Sequence, residues 1–590
     1  MRHRATGIGR ICFLVGIATL ASCTSTARVL LDRDVAVPMR DGVILRADIY
    51  RPAGDGKFPV LVFRTPYGKD NAARSDSVHE KAVARGYAVV MQDVRGRHAS
   101  DGHFDPYRQE GLDGYDTIEW AGGQAWSDGR VGTYGLSYPG AVQWLAAMEA
   151  PPHLVAMAPA MTFSSPRRFF YMNGIFDRSW LPWIYENIAP DARRRLGMAS
   201  GDAERRWQDV SGEFLSWLPM RDLPELRREA PYYFEWLGHP PEDPWWDWAE
   251  LRGRYGRVTA AVLNLSGWYD DAYGVEGAAT NFNGLRTARR AEPRLRAHLV
   301  LGPWAHGAPS TVYSQAGDLD FGPAAALDYD ALVLDFHDHY LRGIDNRFGR
   351  EPPVRYFMMG ANAWRESSEW PPPPGRVEAL FLDGAGGGKT RMLRSEPPAS
   401  PDARSAFTTD PQRPVVDPHG SPGAHDYRVL ASRNDVLTFE TDPLPDAWSV
   451  AGNVTAILYA SCDCRDFDLW VRLQDVHPDG RAINLASPGN DVIRASYREP
   501  AVGRQPVEPG IVYELRLPQT LTSIRFGKGH RIRVQVSASF DPHLSRNLQT
   551  GESEVTSGVS RKAVITIRHG TQHPSRLLLP TVADMTPSLD

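Results

Sequence analysis

Ser137 stands on a tight turn of the kind that exposes a nucleophile. It lies in the segment GLSYPG (residues 135–140), between a predicted strand at residues 131–134 and a predicted helix at residues 141–150. A sharp strand-to-helix turn lifts a serine hydroxyl above a parallel sheet and aims the positive end of the helix at the reaction centre. Glycines fit where such a turn crowds the backbone, and a proline fits the first helical turn. An ordinary turn serine is the alternative, and two further Gly-x-Ser patterns near the C-terminus open no predicted helix.

An acid and a base follow Ser137 in the chain order that this kind of nucleophile requires. Predicted buried strands at residues 259–266 and 297–301 deliver Asp270 and His306 just beyond their ends. A serine hydroxyl becomes a good nucleophile when an imidazole removes its proton, and a buried carboxylate fixes the tautomer of that imidazole. We therefore predict a catalytic triad of Ser137, Asp270 and His306.

Other acids and histidines compete with these choices. Asp271 directly follows the predicted acid and could replace it. The chain has 17 histidines, of which His298 lies within a predicted strand, and His337 and His339 lie on the polar side of a predicted helix at residues 327–341. The base of such a triad follows the carboxyl end of a strand, a position that these three histidines do not occupy. Position therefore favours the base chosen above.

Two tyrosines are predicted to supply the donors that stabilise a developing oxyanion. One donor is normally the backbone N–H of the residue after the nucleophile, here Tyr138, and the second comes from the loop after an early strand. A predicted strand at residues 58–64 runs into the segment TPYGK, where the phenol of Tyr67 could be this second donor. The alternative role for Tyr67 is packing in a turn.

Length and charge limit the class of protein. At 590 residues, with 42% apolar and 23% charged residues, the chain is long enough for two or three domains. Its 66 basic and 71 acidic residues give no reason to expect a nucleic acid partner. The sequence leaves the oligomeric state open.

The N-terminus predicts export. Three arginines precede an apolar run at residues 11–20, which is too short to cross a membrane and is typical of a secretory signal. The run ends in LASC, which resembles a bacterial lipobox, so residues 1–22 are predicted to be a lipoprotein signal peptide and Cys23 to be lipidated. The mature protein would then sit on the bacterial cell envelope, periplasmic or outer surface, and would touch the membrane only through this anchor. A plain signal peptide or an incidental cysteine is the alternative.

The first part of the chain predicts a sheet that could position these side chains. An Asp-Gly turn between alternating runs at residues 35–39 and 43–50 predicts a hairpin, and apolar strands then alternate with helices to about residue 160. This order favours a mostly parallel sheet covered on both faces. Residues 161–251 interrupt it with eight of the 17 tryptophans. We interpret this insert as a cap whose aromatic side chains line a pocket or, alternatively, pack the cap's own core.

A second domain is predicted after the proline run at residues 371–374, since four prolines force an extended spacer. Short alternating runs separated by Gly, Pro and Asp turns then predict a β-sandwich over residues 376–590. Cys462 and Cys464 are predicted to be two packed thiols on one face of a strand, because a Cys-x-Cys pair without further ligands is a poor zinc site. We expect no disulfide framework.

Five motifs, in one order, carry a resemblance to a known family. They are RTPYGK at residues 64–69, QDVRG at 92–96, GLSYPG at 135–140, GWYD at 267–270 and GPWAH at 302–306. On these motifs the chain, from about residue 32 to the C-terminal region, resembles the cocaine esterase-like (CocE/NonD) hydrolases. This group also takes in α-amino acid ester hydrolases, cephalosporin acylases and Xaa-Pro dipeptidyl-peptidases.

The resemblance implies a fold and a set of roles. It implies the first part of an α/β-hydrolase domain, an inserted helical cap, the second part of that domain and a C-terminal jelly-roll β-sandwich, over residues 32–160, 161–251, 252–370 and 376–590 respectively. It assigns the triad and the oxyanion hole to the residues named above, and it implies neither a metal nor a cofactor. Asp93 and Arg95 match a recurrent family motif, and we expect them to pair and brace a loop rather than to catalyse.

One departure from the family pattern bears on the substrate. Family members that cleave α-amino esters carry further carboxylates spaced as Asp-x-Glu-Asp, whereas this chain reads Asp270, Asp271, Ala272, Tyr273. We therefore expect a carboxylic ester as substrate, with a small acyl amide second, although Asp271 or Glu276 could partly replace that cluster. An exopeptidase of the Xaa-Pro type is the second hypothesis, since we also expect the large N-terminal domain of the longer peptidases to be missing. A non-catalytic binding lipoprotein on a hydrolase fold is the third.

Overall fold

The computed structural model describes residues 29–583, apart from residues 76, 200–204, 290–296, 386–388, 488 and 490. The predicted signal peptide and the predicted lipidated Cys23 lie outside these residues. Within them, no helix is both long enough and apolar enough to span a membrane.

Strands and helices alternate in the first part of the described chain. They are β1 (Val29–Pro38), β2 (Ile44–Pro52), β3 (Phe58–Thr65), α1 (Lys69–Ser75), α2 (Val78–Ala84), β4 (Ala88–Asp93), α3 (Glu110–Gly122), β5 (Ser127–Leu136), α4 (Tyr138–Met148) and β6 (Leu154–Ala160). β1 and β2 form the predicted hairpin, β2 pairs with β4 in the antiparallel direction, and β3 to β6 are parallel to one another. Helix α4 begins three residues earlier than predicted, because Pro139 is compatible with the first helical turn.

The insert after β6 consists of short elements around an aromatic core. They are α5 (Pro166–Phe169), β7 (Tyr171–Met172), β8 (Ile175–Phe176), α6 (Trp180–Trp183), a π-helical turn (Ile184–Ile188), α7 (Ala189–Arg195), α8 (Trp207–Ser216), α9 (Pro231–Gly238), and 3₁₀ turns at Met220–Asp222, Pro244–Ala249 and Tyr255–Arg257. Trp180, Trp236 and Trp246 are buried, and the ring of Phe170 lies 4.5–4.7 Å from each of them. These three tryptophans therefore pack the core of the cap.

The chain then returns to the first sheet. The elements are β9 (Ala261–Tyr269), α10 (Glu276–Ala288), β10 (Ala297–Ala305), α11 (Ala308–Thr311), β11 (Gln315–Ala316), β12 (Leu319–Asp320), α12 (Tyr329–Arg342), β13 (Val354–Met358), β14 (Ala363–Ser367), and 3₁₀ turns at Pro323–Ala325 and Arg347–Gly349. The ten-stranded sheet has the order β1-β2-β4-β3-β5-β6-β9-β10-β13-β14, and its strands from β4 to β13 are parallel. The carboxyl ends of β5, β9 and β10 therefore meet at one edge, where ligands of open parallel sheets bind.

Helix α12 corrects one prediction. His337 does not lie on a polar face: it is completely buried, and its Nε2–H donates to the backbone oxygen of Thr133 on β5 over 3.1 Å. Val333 and Leu341, four residues before and after it, are buried as well, so all three side chains lie on the face that packs against the sheet. Gly132 leaves room for the imidazole, since a Cβ there would lie 2.7 Å from its Nδ1.

The C-terminal domain is a twelve-stranded, mostly antiparallel sheet structure. Its strands are β15 (Arg376–Asp383), β16 (Thr390–Arg394), β17 (Arg404–Thr409), β18 (Leu437–Glu440), β19 (Trp448–Cys462), β20 (Asp468–Val476), β21 (Ala482–Asn484), β22 (Val492–Arg494), β23 (Tyr513–Phe526), β24 (Arg531–Ser537), β25 (Ala563–Arg568) and β26 (Arg576–Thr581), with 3₁₀ turns at Arg428–Ser432 and Ala495–Tyr497. The one parallel pairing among these described strands joins β16 to β18. The inward-facing residues Phe439, Leu458 and Val534 are completely buried in its core.

The prediction of two packed thiols in this domain is wrong. Cys462 and Cys464 form a disulfide, with their Cα atoms 5.1 Å apart. Strand β19 ends at Cys462, so Cys464 lies beyond the strand and the alternation of side chains along a strand does not apply to it.

Candidate active site

The turn between β5 and α4 holds Ser137 in a strained backbone conformation. Its φ is 69° and its ψ is −127°, a combination that residues with a Cβ rarely adopt. Surrounding backbone groups impose this conformation. The N–H of Ser137 donates to the carbonyl of Ala160 on β6 over 3.0 Å, and its own carbonyl accepts from the N–H groups of Gly140 and Ala141 over 2.9 Å each. The nucleophile candidate is therefore fixed by both the neighbouring strand and the first turn of the helix.

Gly135 and Gly140 allow this turn to close. A Cβ on Gly140 would lie 2.6 Å from the carbonyl oxygen of Ala160. A Cβ on Gly135, whose φ is +137°, would lie 2.5 Å from the Cβ of Pro139. Both distances are shorter than van der Waals contact, so side chains at these positions would push the serine out of place.

Asp270 and His306 follow adjacent parallel strands and contact each other. β9 ends at Tyr269 and β10 ends at Ala305, and these two residues are paired in the sheet. The Nδ1–H of His306 donates to Oδ1 of Asp270 over 2.9 Å. The carboxylate of Asp270 is 1% exposed and also accepts from the backbone N–H of Tyr273 over 3.2 Å. This arrangement leaves Nε2 as the unprotonated nitrogen of a neutral His306, as a general base requires.

The charges around His306 raise its pKa above the ordinary value of 6.5. Burial acts against this and lowers the pKa, but the negative charge of Asp270, its hydrogen bond to the ring and the charge of Asp271 together outweigh burial. The imidazolium that forms when a histidine accepts a proton is therefore stabilised at this position.

The hydroxyl of Tyr67 lies beside the nucleophile candidate. It faces the side chain of Ser137, and it accepts the indole N–H of Trp183 from the cap over 3.0 Å. Burial raises the pKa of Tyr67, so this phenol remains protonated and its O–H can be donated. Of the cap tryptophans, Trp183 is the one that the structure brings to this group.

Tyr273 is a second phenol on Ser137 that the sequence did not single out for a role. Its hydroxyl faces the side chain of Ser137 and lies 3.1 Å from the hydroxyl of Tyr107. Its ring centroid is 5.6 Å from that of His306, and it stacks on Phe169 of the cap at 4.2 Å. Tyr273 therefore joins the serine, the histidine and the cap.

The side chain of Tyr138 forms part of the site wall. Its hydroxyl donates to Oε1 of Glu110 over 2.9 Å and accepts the backbone N–H of Tyr107 over 3.0 Å. Its ring stacks on those of Tyr107 and Trp183, with centroids 4.3 and 6.2 Å away. Tyr138 is also the first residue of α4, so its backbone N–H points out of the N-terminus of that helix beside Ser137. The role of this N–H in an oxyanion hole stays a prediction.

Asp271 lies next to His306 without replacing Asp270 on the ring nitrogen. Asp271 is solvent-exposed. Desolvation of its carboxylate by the surrounding protein nevertheless raises its pKa, while the charge of His306 acts to lower it. Asp177 of the cap is 4% exposed, and burial, assisted by the charge of Asp271, raises its pKa to about 6. The structure thus brings a cap carboxylate near Asp271, which sequence reasoning missed because the two residues are 94 positions apart.

Other residues singled out in the sequence have structural partners instead. His298 is buried and pairs through Nε2 with the hydroxyl of Tyr340 over 2.8 Å, and burial lowers its pKa to about 4. Glu276 is buried and accepts hydrogen bonds from the hydroxyls of Ser164 and Thr280 over 2.9 and 2.6 Å.

The expected pairing between Asp93 and Arg95 is wrong. Arg95 instead binds Asp113 over 2.6 Å and Asp41 over 2.8 Å. Asp93 accepts the backbone N–H of Lys69 over 2.6 Å. Each residue still braces a loop, but β4 ends at Asp93 and the chain turns at Arg95, so the two side chains reach different partners.

Groups of three metal-ligating side chains occur elsewhere among the described residues, and none of them includes a residue of this site. The chemistry available at the turn is therefore that of a serine hydroxyl, an imidazole paired with a carboxylate, and two neutral phenols.

Two family models match the chain. Residues 41–308 match the X-Pro dipeptidyl-peptidase (S15 family) model, and residues 346–578 match the X-Pro dipeptidyl-peptidase C-terminal non-catalytic domain. The chain is 34% identical over 582 residues to the cocaine esterase of Rhodococcus sp. (strain MB1 Bresler), an alignment that covers 93% of this chain and 98% of that protein.

Solved structures show the same architecture. The fold matches an aminopeptidase from a marine sediment Thaumarchaeota archaeon with a TM-score of 0.80 and 26% identity, covering 94% of this chain and 96% of the other. It also matches an α-amino acid ester hydrolase with a TM-score of 0.73 and 23% identity, covering 97% and 100% of the two chains. The predicted fold class, an α/β hydrolase with a cap and a C-terminal β-sandwich domain, is confirmed.

Proposed function

The chain belongs to the CocE/NonD family of serine hydrolases that act on esters, and we propose that it cleaves a carboxylic ester through an acyl-enzyme formed on Ser137. The observation that carries this proposal is the 2.9 Å hydrogen bond from His306 to the buried Asp270, at the sheet edge where the strained Ser137 also lies. This arrangement provides a nucleophile, a base and an orienting carboxylate.

In the first half of the proposed reaction, His306 Nε2 takes the proton of Ser137 as Oγ attacks the ester carbonyl carbon. The tetrahedral oxyanion would accept hydrogen bonds from the hydroxyl of Tyr67 and from the backbone N–H of Tyr138. His306 then gives its proton to the departing alkoxide, so the alcohol leaves and the acyl group remains on Oγ. Asp270 keeps Nδ1 protonated and stabilises the imidazolium throughout.

In the second half, water takes the place of the alcohol. His306 removes a proton from that water as it attacks the acyl carbon, and the proton is returned to Ser137 Oγ as the carboxylic acid leaves. The enzyme regains its starting state, and every proton transfer is made by residues of this chain.

The walls of the site favour an acyl or aryl group of modest size. Aromatic rings surround the serine. They belong to Tyr107, Phe169, Trp183 and Tyr273. Aromatic side chains stabilise flat apolar groups by burial and by offset or edge-to-face contacts. We therefore propose an ester with an aromatic or branched acyl group as the preferred substrate, with a small acyl amide as the second choice.

Exopeptidase activity is the second candidate, and one observation favours it. Asp271 lies beside His306, and Asp177 of the cap lies near enough to Asp271 for their charges to interact, so these two carboxylates could attract the ammonium group of a peptide N-terminus. A proline-dipeptide anilide and a simple aryl ester separate the two functions. Faster turnover of the anilide would favour the peptidase.

The proposed mechanism is tested by pre-steady-state kinetics with p-nitrophenyl esters of graded acyl size. We expect a burst of p-nitrophenol equal to one per chain in the wild type, because acylation releases the phenol before the acyl-enzyme is hydrolysed. Ser137→Ala should abolish the burst and lower kcat by at least about 10³-fold. Ser553→Ala, at a Gly-x-Ser pattern outside the site, is the control. A burst that survives in Ser137→Ala would overturn the assignment of the nucleophile.

We further propose that the chain is exported and anchored through lipid on Cys23. The LASC segment and the preceding apolar run support this proposal. Labelled palmitate should be incorporated into the wild type expressed in a bacterium and not into Cys23→Ser, which should leave the membrane fraction. Equal labelling of both proteins would contradict the anchor.

A further inference from the structure

A second cavity lies where the first sheet meets the C-terminal domain. Its volume is about 270 Å³, and neither Ser137 nor His306 lines it. The first-sheet region contributes Tyr269, Phe321 and Met359 to its wall, and the hydroxyl of Tyr269 donates to the backbone oxygen of Asn484 across the domain junction over 3.0 Å. Tyr269 precedes Asp270, but its hydroxyl contacts Asn484 whereas Asp270 contacts His306, so the two side chains face different spaces.

Three metal-ligating side chains line this cavity together. They are Asp475, His477 and His530, and one ligand atom of each lies within 4.8 Å of the other two. His530 Nδ1 is 2.8 Å from Oδ1 of Asp475, and His477 Nε2 is 3.5 Å from Oδ2. Zinc bonds of about 2.0–2.2 Å in a tetrahedral site place neighbouring ligand atoms roughly 3.3 Å apart. The two contacts to Asp475 lie within about half an ångström of that spacing, and the distance between the two histidine ligand atoms, which is at most 4.8 Å, would shorten as the three side chains close on a single ion.

The backbone holds the two histidines on neighbouring turns. β20 pairs with β24, so Val476 lies opposite Arg531, and His477 and His530 extend from these two paired residues. The N–H of His477 donates to the carbonyl of Arg481 over 2.8 Å, which closes the turn after β20. A Cβ on Gly527 would lie 2.8 Å from the His530 ring, so a glycine there lets the imidazole lie flat against the backbone.

Ring orientation separates this group from a second one of similar composition. Asp318, His419 and His425 also bring three ligand atoms within 4.8 Å, but the two imidazoles are stacked with only 12° between their planes. Imidazole lone pairs lie in the ring plane, so stacked parallel rings cannot both direct them at one ion. The planes of His477 and His530 are inclined by 41°, with ring centroids 4.6 Å apart, which allows their lone pairs to converge.

The donor set of the group suits a Zn²⁺ ion. Asp475 is 4% exposed and faces two imidazoles. One carboxylate oxygen and two imidazole nitrogens are ligands that Zn²⁺ binds in proteins.

We propose that Asp475, His477 and His530 bind one Zn²⁺ ion, with the remaining coordination position open to the cavity. The ion would join the turn after β20 to the turn before β24 beside Tyr269, and it takes no part in the proposed ester hydrolysis. Because the three ligands converge only in the folded chain, Zn²⁺ would stabilise the folded state.

The test uses the full chain without a polyhistidine tag, stripped of metal with a chelator, and Zn²⁺ alone as the probe. Isothermal titration should give one tight site per chain, and His477→Ala and His530→Ala should each weaken it at least about tenfold. His419→Ala, in the stacked group, should bind Zn²⁺ as the wild type does. Co²⁺ should bind at the same site with visible absorption bands typical of tetrahedral coordination, and Zn²⁺ should raise the wild-type Tm.

Several results would overturn this proposal. They are the absence of Zn²⁺ binding at millimolar concentration, unchanged binding in His477→Ala, or loss of binding in His419→Ala alone. Circular dichroism and p-nitrophenyl ester turnover show whether each variant is folded, and because Ser137 is untouched, failure of the zinc site and failure of the proposed mechanism give different results.

Discussion

At the scale of single residues, Ser137 faces two protonated phenols that differ in their hydrogen-bond partners. Tyr67 accepts the indole N–H of Trp183, so its own proton is directed elsewhere. Tyr273 pairs with the hydroxyl of Tyr107, so its proton can be shared within that pair. We infer that Tyr67 is the better donor to a developing oxyanion, and that Tyr273 positions the serine beside the imidazole.

Removing the Tyr67 hydroxyl should therefore reduce the rate of the chemical step. We expect Tyr67→Phe to lower kcat about 10²-fold with little change in KM, because an oxyanion donor is used mainly in the transition state. Tyr313→Phe, at a tyrosine that is 63% exposed, is the matched control and should be neutral. Steady-state kinetics with a p-nitrophenyl ester measure both constants. A rise in KM of similar size with kcat unchanged would show that Tyr67 contributes to binding of the ground state instead.

The pH dependence of activity should report His306. A general base must be unprotonated, so kcat/KM falls as pH drops through the pKa of His306, which is raised above 6.5 by the charges of Asp270 and Asp271 despite the opposing effect of burial. In Asp271→Asn one of these negative charges is absent, so the acid limb of the plot of kcat/KM against pH should move to lower pH. Asp402→Asn, in the C-terminal domain, should leave the limb in place. A limb that does not move in Asp271→Asn would contradict the inferred coupling.

At the scale of elements, the site depends on how closely α4 approaches β6. Every residue of α4 is buried, and its first turn meets the β6 backbone at Gly140. The two parallel strands β9 and β10 then bring Asp270 and His306 together, since they are neighbours in the sheet with their ends in register. The geometry of the site is therefore set by backbone packing, with side chains added at the strand ends.

A methyl group at Gly140 should disturb this packing. Gly140→Ala would place a Cβ 2.6 Å from the Ala160 carbonyl oxygen, and we expect a loss of about 1–3 kcal/mol in folding free energy together with loss of the acylation burst. Gly212→Ala is the matched control, because it lies in α8 with nothing within 4 Å of its Cβ position. That substitution should stabilise the protein by up to about 1 kcal/mol. Thermal unfolding compares the two, and equal Tm shifts would refute the steric argument.

At the scale of the whole molecule, the cap is attached to the C-terminal domain as well as to the first sheet. Arg178 of the cap donates to Asp541 over 2.7 Å, and both residues are buried. Asn173 donates to the backbone oxygen of Val492 over 2.8 Å. The C-terminal domain thus helps to hold the cap over the carboxyl edge of the sheet, even though it supplies no member of the proposed triad.

Breaking the buried pair should weaken this attachment. Asp541→Asn leaves the charge of Arg178 without its full partner in a buried place, and we expect a loss of about 3 kcal/mol. Asp345→Asn, in the exposed pair with Arg350, should change the stability little, because solvent screens exposed ion pairs. Thermal unfolding followed by tryptophan fluorescence measures both. Similar small effects for the two substitutions would mean that the cap is held by other contacts.

The amino-acid sequence is sufficient to predict the fold class and to propose the residues of the site. Ser137, Asp270 and His306 can be proposed because each follows a short apolar strand, and strand, turn and helix patterns are local properties of the chain. Tyr67 was predictable as a candidate for the same reason. The family resemblance rests on the order of five motifs. The α/β sheet and the C-terminal β domain are predicted from the alternation of apolar and polar residues, which is a local property of the chain.

Contacts between distant segments become visible only in the folded protein. The bond from Trp183 to Tyr67 joins residues 116 positions apart, and the link from Tyr107 to Tyr273 spans 166, so no local pattern predicts either. The sequence pattern places His337 on the polar side of its helix. In the fold its imidazole packs against Gly132, which leaves room for the ring because it has no side chain. Partner choice and burial depend on which surfaces pack together, and the chain acquires that information only when it folds.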